Sequence, residues 1–525
     1  MNIHNTVRCL NLLILVVFIS ACGVPAATSP AAQTPSSSPS AQAHWPSGEW
    51  RTSPPEAQGM DSEMLASMLQ QVDDQHLNLH SLLIVRNGYL VTEVYFHPYT
   101  QDQPQYLASV TKSVISTLVG IAIQKGYIKD SGQTLAGFFP DRTIANLDDR
   151  KNAITLKDLL TLTAGLTCSD APFSGMEQSD DWVQFMLDAP MAEQPGTSFN
   201  YCGGAVHLLS AVLQEATGMS ARDFANSFLF EPIGIARVPD TRWQMDPQGI
   251  SIGPAGLYLT PRDLARLGYL YLQNGRWGDQ QIVPSDWVQA ATTRHTTKDN
   301  GLGYGYLWTV DPAQGSYSAL GYAGQEIYVI PSQNLVIVFT GALPSFQPDM
   351  DFLLLKALVD SYILPAVKSE RPLPANSTAV AKVSSLIDRA ASPKQASSDI
   401  PEGALQWSGV VYQLDPNPTE WQTISFAMQR GTDTMTVTIN GQVVDPQVGL
   451  DHLYRIQAGV DVFAPQAMRG YWKNDSTLFV QLVYLGELSD TEFQLVFAAD
   501  DLNMIGHGVV DGQEIKLHGK RIVKQ

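Results

Sequence analysis

Cysteine is nearly absent: the 525 residues contain four, Cys9, Cys22, Cys168 and Cys202. That excludes a scaffold held by many disulfides, and no His/Cys/Asp cluster has metal-ligand spacing, so neither a metal nor another cofactor is expected. Basic charge is scarce too, with 32 Lys and Arg against 51 Asp and Glu and a net charge of −19. Phosphate binding needs clustered Lys and Arg, so nucleic acid is excluded as an expected partner. The apolar run at the N-terminus, Leu10 to Ile19, is too short to span a bilayer comfortably.

That run reads instead as the h-region of an export signal, with Arg8 before it. It ends Ile19-Ser20-Ala21-Cys22-Gly23, small residues before a cysteine that resemble a bacterial lipobox. The expectation is cleavage after residue 21, lipidation of Cys22 and anchoring at the bacterial cell membrane, facing outside the cytoplasm. The alternative is ordinary signal cleavage nearby with Cys22 a free thiol; either way the protein leaves the cytoplasm. Residues 23–46, rich in Ala, Pro, Ser, Thr and Gln, bury too little to offset ordering entropy and read as a flexible tether. Cys9 leaves with the signal and Cys22 carries lipid. Two cysteines remain, the arithmetic of one bridge in an oxidising compartment, so Cys168–Cys202 is expected, with two buried thiols as the alternative.

Folded sequence starts near Trp50. Met64, Leu65, Met68, Leu69 and Val72 have helical spacing. Two β-rich runs, Leu82–Val85 and Tyr89–Tyr95, flank Asn87-Gly88, a strong hairpin signal. Helical patterns follow at Leu156–Leu162, Asp181–Leu187, Gly204–Thr217 and Ala221–Leu229, and Thr260-Pro261-Arg262-Asp263 opens another with Thr as cap and Pro at the first position. Strand patterns return at Tyr306–Val310, Tyr317–Gly321, Gln325–Ile330 and Leu335–Thr340, then a helix at Met350–Leu364. Strands, helices, strands and a helix imply an α+β fold: one antiparallel sheet whose early and late strands are adjacent, flanked by helices, with a helical insertion. This domain is taken as 47–365. Residues 366–401, with Pro372, Pro374, Pro393 and Pro401, read as a linker holding one short helical stretch, Val380–Ile387. From 402 to 525 the period is near 2, which predicts a separate all-β barrel or sandwich domain. No catalytic constellation is visible in it.

Chemistry centres on Ser109-Val110-Thr111-Lys112, just before the apolar run Val114–Ile123. Residues three apart share a helix face, so Lys112 would stand beside the Ser109 hydroxyl, which is a weak nucleophile without a base. A chain this long holds about one Ser-x-x-Lys by chance, so the motif needs company. Two features supply it. Tyr201, in Asn200-Tyr201-Cys202-Gly203-Gly204 at a loop-to-helix junction, is placed to point its hydroxyl into a cleft. Leu320-Gly321-Tyr322-Ala323-Gly324-Gln325 opens a strand whose small residues let a substrate approach backbone N–H groups. His207 falls inside a helical pattern and reads as a packing residue.

In this order the elements resemble serine hydrolases related to class C β-lactamases and penicillin-binding proteins, marked by Ser-x-x-Lys, Tyr-x-Asn/Ser and Lys/His-x-Gly. Leu159–Leu166, Pro195-Gly196-Thr197 and Gly303-Tyr304-Gly305-Tyr306 add to the resemblance, which covers about residues 50–365. It implies a β-lactamase/transpeptidase-like fold. It implies catalytic Ser109, Lys112 and Tyr201, an oxyanion site at the backbone of Ser109 and Gln325, and substrate contacts at Gly203, Tyr322 and Gly324. Gly203 stands where the family has Asn or Ser, and Tyr322 where it has Lys or His. Without that cation the pattern is more similar to the branch of 6-aminohexanoate-oligomer hydrolases and esterases. The implied function is hydrolysis of a small amide or ester through an acyl-enzyme. The alternatives are a D-amino-acid peptidase, carboxypeptidase or β-lactamase, and a non-catalytic penicillin-binding-like sensor.

Overall fold

The computed structural model describes residues 45–522 except 47, 169–171, 348, 394–399, 429–432 and 459–464; the signal segment, Cys22 and the tether up to residue 44 lie outside the described residues. Trp45, at the end of the expected tether, is packed edge-on against Tyr269, 5.8 Å between ring centroids.

Helix α1 (Ser62–Asp74) begins where the Asp61 carboxylate accepts the Glu63 N–H, and it buries Leu65, Met68, Leu69 and Val72. Strands β1 (Leu79–Arg86) and β2 (Tyr89–Tyr95) form the expected hairpin. Asn87 (φ 53°) and Gly88 (φ 82°) take the left-handed conformations a two-residue turn requires. Helix α2 (Val110–Gln124) is buried on every side over Val110–Ala122, which is why its sequence reads as a continuous apolar run rather than a stripe. It packs against α3 (Gly203–Thr217). Helix α4 (Pro261–Leu272) starts with the capping box read from the sequence, Thr260 and Asp263 exchanging hydrogen bonds around Pro261.

Short strands β3 (Thr296–Thr297), β4 (Gly303–Tyr304) and β5 (Thr309–Asp311) lead into β6 (Ser316–Gly321), β7 (Gln325–Ile330) and β8 (Leu335–Gly341). The sheet order is β2-β1-β8-β7-β6-β5-β4-β3, antiparallel throughout, so the first and last strands of the domain are neighbours as expected. Both faces are covered. Leu83, Val85, Ile327, Val329, Val336 and Val338 join the core of α2, α3 and α4. Leu82, Ile84, Tyr328, Ile330, Ile337 and Phe339 join that of α1 and α5 (Met350–Leu358).

Two expectations are corrected. Tyr306–Val310 is not a continuous strand: Leu307 is left-handed (φ 60°). Its N–H donates to the Leu160 carbonyl and its own carbonyl accepts the Ser113 hydroxyl, which takes the residue out of the ladder. Residues 366–401 are not simply a linker. They contain α6 (Ser377–Ala391), longer than the expected stretch, which lays Ala379, Val383 and Leu386 against α1 at helical spacing.

From Val411–Leu414 to Glu514–Arg521 ten strands form one antiparallel sheet, a meander whose first strand also pairs with the last. Its strands alternate buried and exposed residues around a single core that includes Tyr412, Phe426, Leu478, Phe497 and Leu517. The curl is completed by residues 446–449. Met435 N–H donates to the Pro446 carbonyl and Val448 N–H to that of Asp433, while Gly449 N–H donates to the Met468 carbonyl. The all-β domain is thus a barrel rather than a sandwich. It lies within the same compact unit, His44–Gln525, as the first domain.

Candidate active site

Chain geometry fixes Ser109 before any side chain is considered. Ala108 is held left-handed (φ 45°), a costly conformation for a residue with a Cβ. It turns the chain so that Ser109 becomes the cap of α2. Yet the Ser109 hydroxyl makes no capping bond. It accepts instead from Lys112 Nζ at 2.6 Å. Lys112 is only 4 % exposed. Its Nζ also donates to the Pro254 carbonyl at 2.9 Å and lies 4.9 Å from the centre of the Tyr201 ring. A solvated helix start would leave the lysine in water; here it is buried against serine, carbonyl and aromatic face.

Tyr201 is half-buried, two residues before α3. Asn200 fixes this junction: its N–H donates to the Leu162 carbonyl and its side-chain amide reaches the carbonyls of Leu166 and Cys168. Cys202, the next residue after Tyr201, is joined to Cys168 by the expected disulfide. Across the cleft, Gly321 and Gln325 close the β6–β7 hairpin. A Cβ on Gly321 would stand 2.5 Å from the Leu107 carbonyl oxygen and 3.3 Å from Ser109 N, so only glycine lets the strand end approach the serine backbone this closely. Gln325 is buried and its side-chain amide donates to the Gly341 carbonyl at 2.6 Å. Tyr322, at the hairpin tip, is 45 % exposed.

Ser109, Lys112, Tyr201, Gly203, Tyr322, Gly324 and Gln325, all singled out in the sequence, therefore line one cleft of about 970 Å³. His207 is not among them. It is fully buried, with Nε2 3.0 Å from the Asp246 carboxylate, and packs on Trp182 as a core residue.

The Beta-lactamase family model matches residues 65–355, over half the chain. The chain belongs to the Beta-lactamase family. Among curated relatives, it is 24% identical over 294 residues to the 6-aminohexanoate-dimer hydrolase of Paenarthrobacter ureafaciens, covering 51% of this chain and 73% of that protein. It is 27% identical over 256 residues to a Beta-lactamase of Escherichia coli K12, covering 44% of this chain and 66% of that one. A solved structure of a candidate 6-aminohexanoate-dimer hydrolase from Bacillus anthracis superposes with a TM-score of 0.52 at 21% identity, over 62% of this chain and 89% of that one, a likeness of fold. The family and the α+β fold are those expected from the sequence resemblance.

Sequence reasoning missed several cleft residues. The Pro254 carbonyl that holds Lys112 belongs to Gly253-Pro254-Ala255-Gly256, where the letters mark a turn but not which carbonyl faces inward. Glu326 follows Gln325 on β7 and is 1 % exposed. Burial raises its carboxyl to about 8. Asp351 comes from α5. Leu488, Asp511 and Gln513 come from the C-terminal barrel, in which the sequence showed no site.

Proposed function

We propose that this Beta-lactamase-family protein is a serine hydrolase that cleaves an amide or ester bond through an acyl-enzyme on Ser109. The observation that carries the reading is the 2.6 Å contact from a buried Lys112 Nζ to a Ser109 Oγ free of any capping role. Ser109 Oγ attacks the carbonyl carbon, and its proton passes to the Lys112–Tyr201 pair. The tetrahedral oxyanion is held by the backbone N–H groups of Ser109 and Gln325. The first N–H groups of a helix lack intrahelical acceptors and carry partial positive charge, which suits Ser109 at the start of α2 to this role. The leaving group takes the proton, and water then releases the acyl group by the reverse sequence. The Tyr322 substitution supports a substrate without the carboxylate that the family's usual cation would bind.

The test is turnover of a p-nitrophenyl ester together with labelling by a serine-reactive phosphonate. Wild type hydrolyses the ester and gains the phosphonate mass on the Ser109 peptide, and Ser109→Ala loses at least about 1,000-fold in kcat/KM. Undiminished turnover by Ser109→Ala refutes the assignment.

Export and lipid anchoring through Cys22 are part of the same proposal, supported by Leu10–Ile19 and Ala21-Cys22-Gly23. Palmitate labelling in a bacterial host, lost in Cys22→Ser, is the expected result.

A further inference from the structure

A second cavity, of about 950 Å³, lies between the C-terminal barrel and the first domain, and it shares no described lining residue with the catalytic cleft. Part of its wall is apolar: Leu69 and Val72 of α1, Leu386 of α6, and Phe96 just after β2. The barrel supplies Tyr454, Arg469 and Asp490, and the segment after β2 supplies Tyr99.

Two of these side chains carry polar atoms that nothing in the protein answers. Tyr99 is 6 % exposed, its ring stacked on His80 at 3.7 Å between centroids. Its hydroxyl is buried and has no hydrogen-bond partner among the described residues. Asp490 is also buried; Oδ2 accepts the Asn78 amide at 2.8 Å, while Oδ1 has no such partner. The two groups are close enough for the Asp490 charge to push the Tyr99 phenol upward, after burial, the larger cause.

Arg469 adds a fixed charge. Its Nε donates to Gln481 Oε1 at 2.9 Å, an oxygen that also accepts the Tyr454 hydroxyl at 2.8 Å, and its guanidinium lies 4.5 Å from the centre of the Tyr454 ring. The guanidinium is thereby held in place, yet no carboxylate among the described residues stands within 4.0 Å of it. Glu492, two strands along from Arg469 in the barrel sheet, is exposed to water.

Leaving a buried hydroxyl and a buried carboxyl oxygen unpaired is unfavourable. Water answers that need in a small void; a cavity of this size suits an organic molecule. Tyr99 and Asp490 together require a group that both accepts and donates, which a peptide amide does through its C=O and N–H. Arg469 requires an anion, and a carboxylate fits its two free Nη groups. The Leu69, Val72, Leu386 and Phe96 wall requires apolar side chains.

We propose that this cavity is a second binding site, which takes the carboxyl end of a short apolar peptide. The terminal carboxylate lies on Arg469, the preceding amide meets Tyr99 and Asp490, and the side chains pack on α1 and α6. The inference does not depend on the hydrolase reading of Ser109.

Calorimetric titration of the full chain with acetyl-Leu-Leu and with its C-terminal amide tests it, in a Ser109→Ala background so that neither peptide is consumed. The acid is expected to bind about tenfold or more tighter than the amide. Arg469→Gln removes that difference, and Arg469→Lys, which keeps the charge, retains part of it. Tyr99→Phe weakens both peptides by about fivefold. Its Tm equals or exceeds that of the parent, because the lost hydroxyl had no protein partner. Absence of binding by both peptides at millimolar concentration overturns the inference. An acid preference that survives Arg469→Gln, or parental binding by Tyr99→Phe, places the peptide elsewhere, the catalytic cleft included, and also overturns it. A lowered Tm in Tyr99→Phe shows its hydroxyl to be bound within the protein and refutes the site. Tyr99→Phe decides alone should Arg469→Gln fail to fold.

Discussion

At the scale of single residues, the site depends on close approaches more than on unusual side chains. Lys112 is pinned by one hydroxyl and one backbone carbonyl. The serine it serves is pressed against a strand end with no room for a methyl group. Gly321→Ala is the sharpest probe of that approach, because its Cβ would meet the Leu107 carbonyl at 2.5 Å and the Gln325 Cβ at 2.9 Å. The backbone on one side must give way, at a cost of about 1–3 kcal/mol in stability. Ser109 N and Gln325 flank the clash, so kcat should fall by about tenfold or more with a smaller change in KM. Steady-state kinetics with denaturant unfolding on the same samples checks both, and unchanged kcat would show that this approach is not used in turnover.

Among elements, the junction before α3 shows how a loop is made rigid enough to hold Tyr201. The 162–168 and 200–202 segments are joined by Asn200 and by the Cys168–Cys202 disulfide. Cys202 is also the cap of α3, with Sγ accepting the Ala205 N–H. The bridge closes a loop with a sequence separation of 34. Its removal should lower stability by about 3–4 kcal/mol on loop entropy alone. Cys168→Ala/Cys202→Ala is expected to shift the denaturant midpoint accordingly and to slow turnover through looser placement of Tyr201. Reduction of the wild type under denaturing conditions, followed by refolding without reoxidation, should reproduce the same midpoint. A variant with wild-type stability and rate would show that Asn200 alone holds the junction.

At the scale of the whole molecule, the barrel is fastened to the hydrolase domain by polar and apolar contacts. Tyr258 donates to Glu487 at 2.8 Å, Tyr106 N–H to the Gly486 carbonyl and Ser345 N–H to that of Val510. Tyr99 packs with Ala467, Val483 and Leu485, and Ala323 and Ala342 with Val510. Asp490 lies at this junction, 2 % exposed, accepting from the Asn78 amide at 2.8 Å. Burial raises its carboxyl to about 6, against the smaller opposing effect of the Asn78 bond. The folded protein therefore keeps this proton to higher pH than the unfolded chain, where aspartate ionises near about 3.9. The stability it contributes is fully present below about 4 and is lost as pH rises through about 6. Asp490→Asn removes the titration, so the variant's Tm should gain on wild type between pH 4 and pH 7. A Tm difference that does not change with pH would refute this account.

Local chemistry made much of this legible in the sequence. The Asn87-Gly88 hairpin and the Thr260–Asp263 cap are short-range signals that need only their neighbours, while the cysteine arithmetic and the order of Ser109, Lys112, Tyr201 and Gly321–Gln325 are read from residue types along the whole chain. Where an expectation missed, a distant partner was responsible. Leu307 left its strand because Leu160 and Ser113 bind its backbone, and α6 outgrew a proline-rich linker because α1 offered it an apolar face. The carbonyl of Pro254 beside Lys112, and the meeting of Glu326, Asp351 and Asp511, were likewise decided only by tertiary structure. Residue types can single out Ser109 and Lys112 as a pair, because the two lie one helical turn apart. They cannot announce a cleft whose walls are a strand, a helix and the turn of another domain, because long-range packing alone brings those groups together.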